Sequence, residues 1–179
     1  FKMLLSSLPI DTGMAFVMVQ HLAPHHESLT SLILSRCTPM KVIEVKESVQ
    51  VEPNHVYVIS PNKFLKIKGG MLYLKPTPEV KGIRTTIDVF FSSLAEARKQ
   101  NAIAIILSGT GNDGGAGCKA IKDNGGLVIA QDPTSTEFST MPQNVISMGL
   151  ADHVLLVEKI PDILIKHSAE LVLDTEHII

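Results

Sequence analysis

The chain has 179 residues, of which 45% are hydrophobic and 19% charged, and its formal net charge is −2. That size and composition fit one domain with a real core, and the scattered Lys and Arg residues, with no aromatic interleaving, argue against a nucleic-acid-binding face. No apolar run reaches the length of a membrane-spanning helix, and with aromatic residues at 4% and no Trp, Val, Ile and Leu must fill the interior.

Phe1, Leu4, Leu5 and Leu8 recur at i, i+3, i+4 and i+7, the apolar face of a helix. Pro9 ends it and Asp11-Thr12-Gly13 makes a turn. No N-cap precedes Phe1, so the helix is expected to begin earlier in the natural chain. The apolar run Ala15 to Val19 predicts a strand buried on both faces, as in a parallel sheet. Gln20-His21 stands at its C-terminal end. Ser28 is expected to cap a helix with Leu29, Leu32 and Ile33 on its inner face, closed by Cys37-Thr38-Pro39.

Residues 42–75 read as strands at Val42 to Val45, Val56 to Ile59, Phe64 to Lys68 and Met71 to Lys75, and suggest an antiparallel insertion. Gly69-Gly70 fits a two-residue hairpin turn. A helix follows with Ile87, Phe90, Phe91, Leu94 and Arg98 in register, then a buried strand from Ala102 to Leu107. A glycine-rich turn from Gly109 to Gly117 leads to a helix ending at Gly125-Gly126. Leu127 to Ala130 and Val154 to Val157 read as strands, Pro142 opens a short helix, and Pro161 starts a last one carrying Ile163, Leu164 and His167. This succession predicts an α/β fold: a doubly wound, mostly parallel sheet with helices on both faces and an antiparallel hairpin insertion. Residues 1–168 are expected to form the domain, and residues 169–179 a tail or linker.

In such sheets function gathers beyond the C-terminal ends of strands, and two loops stand there. The first, Gln20 to Pro24, holds His21, a candidate general base; the alternative is a surface or capping histidine. His21, His25 and His26 do not make a metal site, because Pro24 interrupts helical spacing and no third ligand is placed to join them. The second loop is Leu107 to Gly115. Asp113 within it is either the carboxylate that holds a histidine's Nδ1–H or an N-cap. Gly109, Thr110 and Gly111 offer backbone amides close to a ligand. The same stretch matches G-x-G-x-x-G, with Asp132 near the spacing of a ribose-binding acid. Against a dinucleotide, Asp113 would set a negative charge where a pyrophosphate must approach. Cys37 and Cys118 form no C-x-x-C pair and are expected to be reduced core thiols of a cytoplasmic protein.

These motifs, in this order, resemble the chemotaxis methylesterase (CheB) family. The resemblance runs from Phe1 to about Ile160 and is carried by six stretches. They are Val17-Met18-Val19-Gln20-His21-Leu22-Ala23-Pro24, Val56-Tyr57-Val58-Ile59-Ser60-Pro61, Thr86-Ile87-Asp88-Val89-Phe90-Phe91, Leu107 to Gly114, Ile129-Ala130-Gln131-Asp132 and Met141-Pro142. The details look most like versions fused to a receptor methyltransferase.

The resemblance implies a cofactor-free Ser-His-Asp hydrolase that removes methyl esters from chemoreceptor glutamates, releases methanol, and also deamidates receptor glutamines. The family histidine falls on His21 and the family aspartate on Asp113, with Gly109, Thr110 and Gly111 as oxyanion or substrate loop. The family serine lies in a turn before the first helix, upstream of Phe1; Ser6, Ser7 and Ser108 do not match it. This chain alone is therefore expected to be nearly inactive. Thr110 stands where the family often has Met, and Gln143-Asn144 replaces an Arg-Glu pair. The implied partners are the cytoplasmic region of a methylated chemoreceptor and a fused or separate methyltransferase or receiver domain. A non-catalytic docking module and a dinucleotide-binding domain are the competing readings.

Overall fold

The computed structural model describes residues 1–20, 29–60, 63–76 and 85–176. Nine strands and six α-helices lie among them. In chain order they are α1 (Lys2–Ser6), β1 (Phe16–Met18), α2 (Thr30–Ser35), β2 (Lys41–Val45), β3 (Val49–Gln50), β4 (His55–Ile59), β5 (Lys63–Lys68) and β6 (Met71–Pro76). Then come α3 (Thr86–Arg98), β7 (Ile103–Ile106), α4 (Gly115–Asp123), β8 (Leu127–Gln131), α5 (Thr140–Ser147), β9 (His153–Leu155) and α6 (Ile160–Glu176).

Strands β1, β4 and β2 form one parallel sheet, in the order β1-β4-β2, and β7-β8-β9 form another. Both halves contribute to the same two core layers. On one face Tyr57, Ile59, Ala104, Ile106 and Val128 pack with Phe90 and Phe91 of α3, Ile121 of α4 and Val145 of α5. On the other, Phe16, Val56, Val58 and Ile129 pack with Leu4 and Leu5 of α1, Leu34 of α2, and Ile160 and Leu164 of α6. Period-two alternation along β4 sends Val56 and Val58 to one layer and Tyr57 and Ile59 to the other. Helices on both faces of parallel strands are the doubly wound arrangement expected from the sequence.

The antiparallel part is smaller than the sequence suggests. Only β3, β6 and β5 form it, in that order, while β2 and β4 pair in parallel. A strand's apolar pattern records which faces are buried, not the direction of its partner. The turn at Gly69-Gly70 is as predicted: both residues have positive φ, 57° and 78°, as a type I′ hairpin requires. β1 pairs in parallel as expected, but Val17 and Met18 are only partly buried, because β4 is its sole ladder partner among the described residues.

The face assigned to α2 needs correction. Leu29 and Leu32 are 64% and 51% exposed and Ile33 39%, whereas Leu34 is buried. The helix has only six residues and rests on Leu34, so the i, i+3, i+4 stripe turns outward, beside a hollow lined by Phe1, Met3, Met18 and Ile33. Periodicity identifies a stripe but not which stripe faces inward when the helix is shorter than two turns. Ser28, its expected cap, lies outside the described residues. The glycine C-cap of α4 is as read: the Gly126 amide donates to the Ile121 carbonyl and the Gly125 amide to that of Lys122, a Schellman closure. The last helix continues to Glu176.

Candidate active site

The loop between β7 and α4 is held from three sides. Ser108 donates its amide to Gln131 Oε1 at 2.9 Å; Gln131, at the end of β8, is 6% exposed. The Gly109 amide donates to the Phe138 carbonyl at 2.8 Å, and the Gly109 carbonyl accepts from the Met141 amide at 3.1 Å. The loop is thereby stitched to the start of α5. A Cβ on Gly109 would stand 2.4 Å from Met141 Sδ, so any side chain at this crossing would have to displace the Met141 thioether. At its other end Gly114 has φ +101°, and a Cβ there would meet Ile106 Cδ1 at 2.9 Å. The left-handed backbone favours glycine there, and the crowding by Ile106 and Ile87 adds to it.

Asp113 sits between these anchors, partly buried. Its Oδ2 accepts the Ile87 amide at 2.9 Å and its Oδ1 the Asp88 amide at 3.0 Å. These are donors of the first turn of α3, whose N-cap Thr85 makes no side-chain cap bond. Of the two roles open in the sequence, a capping role is therefore present, on α3 rather than on the helix that follows Asp113. A carboxylate can accept about four hydrogen bonds, so two amides do not use up its capacity, and capping does not compete with holding an imidazole. His21 lies outside the described residues, so its distance to Asp113 is not part of this geometry.

Thr110 and Gly111 are exposed, and Gly111 has φ +95° with nothing within 4 Å of a built Cβ. Among the described residues their amides donate to no acceptor. Ser108 is engaged differently: its hydroxyl accepts from Thr136 Oγ1 at 2.6 Å and lies 3.3 Å from the Phe138 carbonyl. Ser6 and Ser7 both donate to the Met3 carbonyl within α1. Asp132 closes a local turn, accepting the Thr134 amide and hydroxyl at 2.8 Å each, and these bonds hold its carboxyl below the usual range. Its Oδ1 thus serves as a turn cap for its own backbone. No cluster of three metal-ligating side chains occurs among the described residues.

Reasoning from the sequence did not single out Asp88 or Gln131. Asp88 Oδ1 accepts the amides of Gly114 at 3.0 Å and Gly117 at 2.7 Å. Burial, then the neighbouring Asp113, push its carboxyl above the usual range, against the pull of the two amides. Both residues lie inside the motif stretches that carry the resemblance, and their polar character within apolar runs was the available signal.

Residues 1–164 match the family model described as CheB methylesterase. The chain belongs to the CheB methylesterase family. It superposes on the Thermotoga maritima CheB methylesterase catalytic domain with a TM-score of 0.83 and 32% identity, covering 92% of this chain and 89% of that one. The Thermotoga maritima protein-glutamate methylesterase/protein-glutamine glutaminase is 34% identical over 169 residues, and one from Vibrio vulnificus 33% over 168. These regions take in 92% and 91% of this chain but only 49% and 48% of those relatives. A Leptospira interrogans protein is 34% identical over 166 residues and matched over 86% of its own length. Family membership displaces the dinucleotide reading of the glycine loop. Among the described residues no helix is long and apolar enough to cross a membrane.

Proposed function

We propose that this chain belongs to the catalytic domain of a cytoplasmic protein-glutamate methylesterase that hydrolyses glutamate γ-methyl esters on chemoreceptors and deamidates receptor glutamines. The observation that carries this reading is the family match across residues 1–164.

In this mechanism a serine Oγ attacks the ester carbonyl while His21 takes its proton. Asp113 holds the imidazole Nδ1–H and stabilises the imidazolium. The Thr110 and Gly111 amides of the Gly109–Gly111 turn donate to the oxyanion of the tetrahedral intermediate. Collapse expels methanol with the proton returned by His21, and water repeats the sequence on the acyl-enzyme to leave glutamate. With a glutamine side chain the same steps expel ammonia, since the acyl group and oxyanion are the same. Two features support these roles. Asp113 is fixed by helix-start amides that complement a negative carboxylate, and the Thr110 and Gly111 amides are uncommitted among the described residues.

The nucleophile in this proposal is a serine on a strand and turn preceding Phe1. The hydroxyls of Ser6 and Ser7 are bonded within α1, and that of Ser108 to Thr136 and the Phe138 carbonyl. β1 and β7 each have a single ladder partner among the described residues although both halves share their cores. A strand between them would complete one sheet.

Methanol release from methylated receptor by the full natural chain tests the proposal, with His21→Ala as control. Release abolished by His21→Ala supports it. A folded, receptor-binding chain that releases none leaves a docking module that has kept the fold and lost the chemistry. Normal turnover by residues 1–179 alone would show the serine to be misplaced.

A further inference from the structure

Helices α3 and α4 each begin without a capping side chain of their own: neither Thr85 nor Gly114, at the two N-cap positions, makes a side-chain cap bond. Each helix takes its cap from the other. Asp113, one residue before the N-cap of α4, accepts the Ile87 and Asp88 amides of α3. Asp88, in the first turn of α3, accepts the Gly114 and Gly117 amides of α4. Four hydrogen bonds of 2.7 to 3.0 Å thus close a ring across two helix starts.

The ring acts directly on Asp113. The Gly114 amide belongs to the peptide plane that follows the Asp113 Cα, so its bond to Asp88 fixes that plane. The two bonds from α3 then fix the carboxylate end of the same residue. At Gly117, held by the same Asp88 oxygen, α4 comes close to α3: a Cβ there would stand 3.1 Å from the Asp88 Cα. The price of the arrangement is two carboxylates side by side, which the positive ends of two helices offset. Around Asp88 the titratable and charged groups are Asp113 and Cys118 on the α4 side and Lys66 and Glu96 around the outer hollow.

We propose that Asp88 is a positioning residue for Asp113: by accepting the Gly114 and Gly117 amides it sets the direction in which the Asp113 carboxylate leaves the loop. Its catalytic consequence rests on the reading of Asp113 as partner of the catalytic histidine. Asp88 itself touches no substrate. What it requires is an acceptor at this place, so Asn, whose Oδ1 accepts the same amides, serves in its stead. Glu keeps the charge but moves the acceptor by a methylene, and does not.

The full natural chain and its Asp88→Ala, Asp88→Asn and Asp88→Glu variants are compared by two readouts. Amide exchange at Ile87 reports the bond to Asp113 without any need for activity, and kcat and KM for methanol release report the consequence. Asp88→Ala and Asp88→Glu are expected to exchange Ile87 at least about tenfold faster and to lose at least about tenfold in kcat with KM within about twofold. Asp88→Asn is expected to hold both within about threefold of wild type. If Asp88→Ala does not fold, Asp88→Glu and Asp88→Asn carry the same contrast. Unchanged Ile87 exchange and kcat in Asp88→Ala or Asp88→Glu overturns the proposal, as does an Asp88→Asn variant as impaired as they are. Faster Ile87 exchange in a family of variants that, like wild type, releases no methanol supports the positioning and fails the methylesterase reading instead.

Discussion

Gly117 of α4 lies against Phe91 of α3 so closely that a Cβ on it would stand 2.6 Å from the Phe91 Cβ and 3.1 Å from the Asp88 Cα. Neither neighbour can swing aside, since one is backbone and the other the root of a buried ring. Gly117→Ala is therefore expected to pry the helices apart and cost about 1–3 kcal/mol, seen as a lower urea midpoint with unchanged slope. Gly111→Ala makes the contrast. Its Cβ meets nothing, so it carries only the strain of a positive φ, about 1–2 kcal/mol. A Gly117→Ala variant with the wild-type urea midpoint would show that the helices are not in this contact.

Ser108 and Asp113 occupy one loop but are expected to answer substitution differently. The Ser108 hydroxyl is tied to Thr136 and the Phe138 carbonyl, and the loop is anchored there by the Ser108 amide, which Ala retains. Ser108→Ala in the full natural chain should leave kcat for methanol release within about threefold. Asp113→Asn should lower it by up to about 10⁴-fold, as loss of the correct imidazole tautomer does in other triads. An inactive Ser108→Ala would make Ser108 the nucleophile; an active Asp113→Asn would leave Asp113 a cap alone.

Much of this was legible in the sequence, and the failures have physical causes. Long elements with both faces decided, such as the helix carrying Ile87, Phe90 and Phe91, were readable because burial on one side leaves a clear period. Gly69-Gly70 and Gly125-Gly126 were readable because only particular backbone angles suit those turns. The inward face of α2 and the parallel partner of β2 were not, since both depend on what packs from elsewhere in the chain. The Asp88–Asp113 exchange of caps joins residues 25 apart. Capping rules look within four residues of a helix start, so they find neither half of it.

Asp152 and Asp88 should give stability opposite pH dependences. Burial alone would raise the Asp152 carboxyl, but its contact with Lys122 Nζ and the Val128 amide hold it below the usual range. Its contribution is thus complete above an unfolded pKa of about 3.9 and is lost as pH falls through the lower folded value. Asp88 is raised, by burial first and then by Asp113. Its contribution is complete below about 3.9 and declines as pH rises through the higher folded value. Asp152→Asn should therefore destabilise at pH 7, by about 1 kcal/mol, with the deficit fading in acid. Relative to wild type, Asp88→Asn should grow more stable as pH rises above 4. Urea unfolding from about pH 2.5 to 7 checks both, and parallel curves for the two variants would contradict the opposed shifts.

The two thiols should separate cleanly by reactivity. Cys118 is fully buried between α4 and the core, and burial, with the charge of Asp88 behind it, pushes its thiol up to about 12. The thiolate is the reacting species, so at pH 8 Cys118 is both enclosed and almost wholly protonated. Cys37, by contrast, is partly open to solvent at the end of α2, with Sγ 3.2 Å from the Ile33 carbonyl. A maleimide added to the folded chain should label Cys37 alone, and both cysteines in denaturant, read by the mass of the intact protein. The Cys118 rate then reports opening of the α3–α4 contact, so Gly117→Ala should raise it without changing the Cys37 rate. Prompt labelling of Cys118 in the native wild-type chain would mean that this face of the core opens far more readily than its packing implies.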